Sequence, residues 1–438
     1  MKNDHTSTTA SNIISFNDRK VLTELAKKYR EISETVEMSE RKNCWRKLHD
    51  LNPERPMILF EPYFIEGFLS TYTFNCQDQF FRNIEAKLIY PIKQYDILAD
   101  DVILEPYFRL AWSGKGLSAI GTIFGDIKIE EHGADKPSLA HLSNFPIKTP
   151  NDIKKLKSRV FSIDREPTLK IKEILEDIFG DILPIRLGNV DNFDSYLGSQ
   201  IFTGNNYIGI TGDLFKLIGS EKMMLWTYDY PEVIHSLLRF LTDDRLYFYE
   251  FLIKEKLLDF NTDNQFAGPS SYGYTSSLPQ PGTKKEVELK DLWTWPESQE
   301  TQMVSPSMFN EIFLPYIAEI ANKFGLSYYG CCETITDRFE YIEKAIHNLR
   351  TVSISNWSDT FKAGELLGNK YVYSKKPMPA YVSGINPNWD MVEKEAVDTK
   401  IATKDCCVEI IFRDLYSQNC TPAIAAELIR KWKRIMNI

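Results

Sequence analysis

A chain of 438 residues with 43% hydrophobic and 13% aromatic content has material for two or three average domains, or for one large barrel with an extension. Its formal charge of −9 excludes a general nucleic-acid binder, because phosphate contacts need a clustered cationic surface. No apolar run reaches the roughly 18–20 residues that span a bilayer, and the polar start MKNDHTSTTASN lacks a signal peptide's apolar core. A cytoplasmic protein with neither a nucleic-acid nor a membrane partner is expected.

Residues 1–17 read as a disordered start. From Asp18 to about Asn52 the pattern is helical and charged, with Leu22, Leu25, Tyr29 and Ile32 at spacings of three and four. RPMILFEPYFIEGFL (Arg55–Leu69) reads as a buried strand running into a helix, and Ser118–Gly133 as irregular strands or a hairpin. At Thr149-Pro150 a helix opens with proline in its first turn. Residues 18–180 therefore form an α+β elaboration without repeats. The basic clusters Arg41–Lys47 and Arg430–Arg434 read as solvated helix faces.

From about residue 181 short apolar runs alternate with amphipathic helices. ILPIRLGNV, YIGITGDLF, DLWTWPES, GLSYYGCCE, RTVSISNWS, NKYVYSKKP and CVEIIFRDL are the strand candidates. Strands alternating with helices predict a parallel α/β sheet. A (β/α)8 barrel over 181–438 is the first expectation and an open doubly wound sheet the second. GITGDLFKLIG matches neither the dinucleotide nor the P-loop spacing.

The late strands end in groups that are costly in a core: Trp295 and Glu297; Cys331 and Glu333; Asn356 and Asp359; Lys375 and Lys376; Arg413 and Asp414. A barrel gathers such ends at one mouth, where active sites are built. Glu297, Asp414 and Lys375 are the candidate catalytic groups. Trp295, Trp357, Tyr329 and Lys376 are the candidate substrate contacts, with the lysines suited to an anion. Cys331 and Glu333 offer a partial soft-and-hard ligand set that Asp414 would extend toward zinc; two small core residues followed by a helix-starting acid is the competing reading. Only one of two adjacent cysteines faces inward on a strand, and Cys331 is expected there, with Cys332 outward and Glu333 at the rim.

Seven cysteines, two pairs of them adjacent, fit reduced thiols better than a disulfide framework. Cys406 and Cys407 read as core at a strand start, and Cys420 as preceding a helix capped by Thr421. None of the six histidines ends a late strand, which disfavours a histidine-based acid/base pair.

DLWTWPES through YYGCCE, the SNWSD and SKKP segments, and VEIIFRD resemble a bacterial branch of the uroporphyrinogen decarboxylase superfamily, over roughly residues 180–438. The resemblance implies a (β/α)8 barrel and either decarboxylase or corrinoid-dependent methyltransferase chemistry. Two departures stand out. The decarboxylases' arginine-bearing N-terminal segment is missing, RPMILFEPYFIEG standing in its place. Tyr329-Gly330-Cys331 replaces the methyltransferases' zinc-binding His-x-Cys, and Asp414 lies near the place of their late cysteine.

The resemblance leads first to a zinc-dependent methyltransferase acting on a methylated small molecule, or with a corrinoid carried by a partner protein. Decarboxylation of a tetrapyrrole-like polycarboxylate, with Lys375, Lys376 and Arg186 as cations, is the alternative. A non-catalytic corrinoid or small-molecule binding protein is a third reading. A homodimer is compatible with the aromatic-rich composition.

Overall fold

The computed structural model describes residues 14–61, 65–112, 114–115, 117, 121–133, 141–190, 206–281, 286–384, 386–415 and 420–438. Seven parallel strands form the main sheet: β1 (Met57–Phe60), β2 (Tyr207–Ile208), β3 (Trp293–Pro296), β4 (Leu326–Tyr329), β5 (Leu349–Ile354), β6 (Val372–Lys375) and β7 (Cys407–Phe412). Their order is β1-β7-β6-β5-β4-β3-β2, with every pair parallel. The chain is mixed α/β, with a sheet that has the sequential order of a barrel wall. A second parallel pair, Phe108–Trp112 with Ile185–Val190, stands apart from it. The free edge of β1 is met by Asp101, whose backbone N–H donates to the Ile58 carbonyl and whose carboxylate accepts from the Ile58 N–H at 2.8 Å.

Local sequence explains the elements. β1, β3, β4, β6 and β7 are buried at every position, as parallel strands covered by helices on one face must be. The helices between them carry their own start signals. Asp359 caps Thr360–Leu367 through the N–H groups of Phe361 and Lys362, and Thr421 caps Pro422–Met436 ahead of Pro422, as its position predicts.

Three expectations need correction. The first helix begins at Phe16, capped by Ser15, so order starts inside the 1–17 segment. YIGITGDLF is a strand only at Tyr207–Ile208; from Ile210 it is helix to Asp229. There Ile210, Leu214, Leu217 and Ile218 are all buried, a helical spacing that outweighs the β-branched start. The Thr149-Pro150 element is a short 3-10 turn, Pro150–Lys155. The Ser118–Gly133 hairpin is seen as the antiparallel pair Ile123–Phe124 with Ile127–Lys128; residues 118–120 lie outside the described residues.

Several cations of the basic clusters are engaged by ion pairs within the chain. Lys42 meets Glu105, and Arg41 meets Glu37. Lys431 and Arg434 share Glu393. Among the described residues no helix is long and apolar enough to cross a membrane.

Candidate functional site

Parallel strands put all their carboxyl ends at one edge, and register decides which side chains share a face. Ser374 of β6 lies beside Glu409 of β7 and Ser353 of β5. Two residues on, Lys376 falls on the same face; on β7 the next same-face position after Ile411 is Arg413, and on β1 it is Glu61. That face is polar and almost fully buried.

At its edge stands the thiol centre. Cys331 is buried and Cys332 exposed, with their Sγ atoms 3.6 Å apart. Arg413 Nη1 donates to Cys331 Sγ at 3.4 Å. The other end of the guanidinium lies 3.3 Å from Glu61 Oε1, which also accepts from Ser270 Oγ at 2.9 Å. Glu61 Oε2 accepts the Asp414 N–H at 3.2 Å, at a residue whose φ of 59° is left-handed. β1, β4 and β7 are thus joined through one arginine.

The turn that presents the cysteines depends on Gly330, which has φ 98°. A Cβ there would sit 3.3 Å from both Ile335 Cδ1 and Ser353 Cβ. Glu333 then folds back on the turn. Its Oε2 accepts the Cys331 N–H at 2.8 Å and its Oε1 the Ser298 N–H at 2.9 Å.

Electrostatics distinguishes the two thiols. The hydrogen bond from Cys331, aided by the charge of Arg413, holds the Cys332 thiol below its usual range. Donating that bond, together with burial, pushes Cys331 well above it. Cys332 is therefore the more readily ionised thiol of the pair. Thiolate, not thiol, is the nucleophilic form.

Beneath lies a second buried cluster. Lys376 Nζ donates to Tyr328 Oη at 2.7 Å and to Ser374 Oγ at 2.6 Å, and burial brings its pKa down to about 7. Ser271 Oγ donates to Glu409 Oε2 at 2.8 Å, and His49 Nε2 lies 3.7 Å from the same oxygen. Burial opposes the Glu409 charge, yet His49 and Lys376 hold its carboxyl below the usual range. Beside β3, Glu297 accepts from Tyr207 Oη and the Gln299 N–H, each at 2.9 Å. Burial, then the neighbouring Glu300 and Glu333, push its carboxyl well above the usual range.

The expected residues divide between places. Cys331, Asp414, Lys376, Trp295 and Glu297 border the inner face or its edge; the Trp295 ring lies tilted against Tyr207, centroids 4.8 Å apart, and its indole N–H donates to the Gly330 carbonyl at 2.9 Å. Lys375 points the other way, to Glu395 at 3.0 Å. It lines an outer cavity of about 430 Å³ with Trp357, Phe361, Tyr381 and Met391, and Trp357 is 70% exposed. Tyr329 turns to Ser298 Oγ at 2.8 Å, while its neighbour Tyr328 takes the inner face. Glu333, expected at the rim, is 2% exposed. Cys420 is buried as well, which pushes its thiol up to about 12. Arg186 is held by Asp259 at 2.6 and 2.8 Å and offers no free cation for a polycarboxylate.

Zinc does not fit the donor set of Cys331, Glu333 and Asp414 as arranged. Both Glu333 oxygens accept backbone N–H groups, and a guanidinium already donates to Cys331 Sγ. Among the described residues no three His, Cys, Asp or Glu side chains are placed to hold a metal.

Glu61, Glu409 and His49 are site residues that strand-end reasoning passed over. Glu61 follows MILF as Glu297 follows WTWP, and Glu409 is the lone acid inside VEIIF; both carried a readable signal. His49, at the end of Val36–His49, reaches the cluster only through tertiary packing.

No family model matches the chain, and no curated protein matches its sequence. Among solved structures it is similar to a methyltransferase from Methanosarcina mazei, with 11% identity over 96% of this chain and 99% of that one, and a TM-score of 0.47.

Proposed function

We propose that the chain is a group-transfer enzyme of the methyltransferase kind, in which the Cys332 thiolate takes a methyl group from a small methylated donor. The observation that carries this reading is the exposed Cys332 Sγ, 3.6 Å from the buried Cys331 sulfur, on a turn that Arg413 and Glu61 tie to the ends of β7 and β1. A sulfur held as thiolate at a sheet's carboxyl edge is a positioned nucleophile. It attacks the methyl carbon, forming the C–S bond as the bond to the leaving group breaks and its electron pair departs with that group. Cys331 and Arg413 keep the sulfur deprotonated before attack; Glu61 and the Asp414 N–H hold Arg413 and its loop in place.

In this reading the methyl then passes to a second acceptor. The corrinoid-bearing partner implied by the resemblance is the acceptor to try first. Further, Phe108–Trp112 and Ile185–Val190 close the ring between β1 and β2, giving a barrel whose mouth is the cysteine edge.

The test is transfer itself. Protein incubated with isotope-labelled methyl donors, a sulfonium, a quaternary ammonium and a methyl ether among them, is digested and mapped. Label on Cys332, absent from Cys332→Ser, supports the reading. No label on Cys332 from any donor class, with the thiol still titratable, overturns it.

A further inference from the structure

We propose that Cys331 and Cys332 together form a two-point site for a neutral, three-coordinate thiophilic centre, the chemistry a trivalent organoarsenical presents. The proposal goes beyond methyl transfer, which needs Cys332 alone; here both sulfurs bind.

Two sulfurs 3.6 Å apart, each about 2.3 Å from one shared centre as in thiolate–metal bonds, subtend an angle of about 100° there. That angle excludes a linear two-sulfur ion and a planar trigonal one, whose sulfurs stand farther apart. It suits a tetrahedral or a pyramidal centre. A tetrahedral ion needs two further donors, and the described residues supply no third His, Cys, Asp or Glu. A pyramidal centre that carries its own organic substituent needs two sulfurs and nothing more.

The surroundings agree. Cys332 is open to an arriving reagent while Cys331 is buried behind it, so the first bond forms at the exposed sulfur and the second follows within the molecule. Arg413 at 3.4 Å from Cys331 Sγ opposes an incoming cation but not a neutral centre. The exchange balances without redox chemistry. Two As–O bonds of R–As(OH)2 break and two As–S bonds form. The Cys331 thiol proton and one proton from solvent leave with the two hydroxyls as two waters, and arsenic stays trivalent. The chain holds its own control in Cys406 and Cys407, also adjacent, where Cys406 Sγ instead donates to the Gly364 carbonyl at 3.5 Å.

Phenylarsine oxide is the probe. Intact mass measurement should show one phenylarsenic group per chain, mapped to the Cys331–Cys332 peptide and released by a dithiol but not by an equal excess of monothiol. Because the second bond is intramolecular, Cys331→Ser and Cys332→Ser should each bind about a hundredfold more weakly or worse, with folding checked by circular dichroism, while Cys406→Ser binds as the parent does. Affinity unchanged in Cys331→Ser, or an adduct on Cys406–Cys407, overturns the proposal. A chain that takes labelled methyl on Cys332 yet fails this test leaves the transfer reading standing and removes only the two-point site.

Discussion

Replacing Lys376 with methionine should make the protein more stable at neutral pH, by an amount that vanishes in alkali. Lys376 is buried with two hydroxyls as its hydrogen-bond partners. Methionine matches its length, and Tyr328 still donates to Ser374 at 2.7 Å, so no polar group is orphaned. The fall of the amine from an ordinary 10.5 to about 7 corresponds to about 5 kcal/mol against carrying the charge in the fold. Below pH 7 both folded and unfolded chains hold the proton and the whole penalty applies. Between about 7 and 10.5 the folded amine is neutral while the unfolded one keeps its proton. The unfolded state then binds more protons, so stability rises with pH by up to about 1.4 kcal/mol per pH unit. Above that window both states are neutral and the penalty is gone. Lys376→Met lacks this rise. Loss of attraction to Glu409 takes back part of the gain at pH 6.5, but not the difference in slope. Urea unfolding of both proteins from pH 6.5 to 10.5 measures it. Parallel stability–pH curves would refute the argument.

Gly330→Ala forces a side chain into a left-handed turn at φ 98° with 3.3 Å neighbours. A loss of about 1–3 kcal/mol is expected, read by thermal unfolding, together with slower alkylation of Cys332. Glu333→Gln keeps one acceptor where two backbone N–H groups point; a cost of about 1–3 kcal/mol follows. A measured loss below a few tenths would show that Glu333 does not hold the turn. Asp244→Ala removes the carboxylate that meets Arg159 Nε at 2.6 Å, both side chains being buried. It should cost about 1–3 kcal/mol, the penalty of a lost charged hydrogen bond, in denaturant titration without changing thiol reactivity.

Much of this architecture was legible because strand and helix periods differ. Six of the seven late apolar runs are strands over most of their apolar residues, and five of those six lie in the main sheet with their carboxyl ends at one edge, Ile185–Val190 pairing elsewhere. What period two could not show was the phase of each strand at its end. Lys375 and Lys376 are adjacent and alike in sequence, yet one meets Glu395 on the outer face and the other Tyr328 within. Tyr328 and Tyr329 divide in the same way. Phase depends on register with neighbouring strands and on irregular turns such as the one at Gly330, neither of which is written locally. Glu333 looked like a ligand because an acid beside cysteines is ligand chemistry. Its actual partners are the main-chain N–H groups of its own turn and of Ser298, which no side-chain pattern reveals. His49 needed packing across more than 350 residues to meet Glu409.

The claim on which the functional reading rests is that Cys332, alone among the seven cysteines, is held as a thiolate by Cys331 and Arg413. Iodoacetamide alkylation followed residue by residue by mass spectrometry, from pH 5 to 10, measures this directly. The predicted result is that Cys332 reacts first, with a midpoint below that of an ordinary thiol, and that Cys331→Ala moves the midpoint upward by removing the donor. Alkylation of another cysteine ahead of Cys332, or an ordinary midpoint that Cys331→Ala leaves in place, would contradict it.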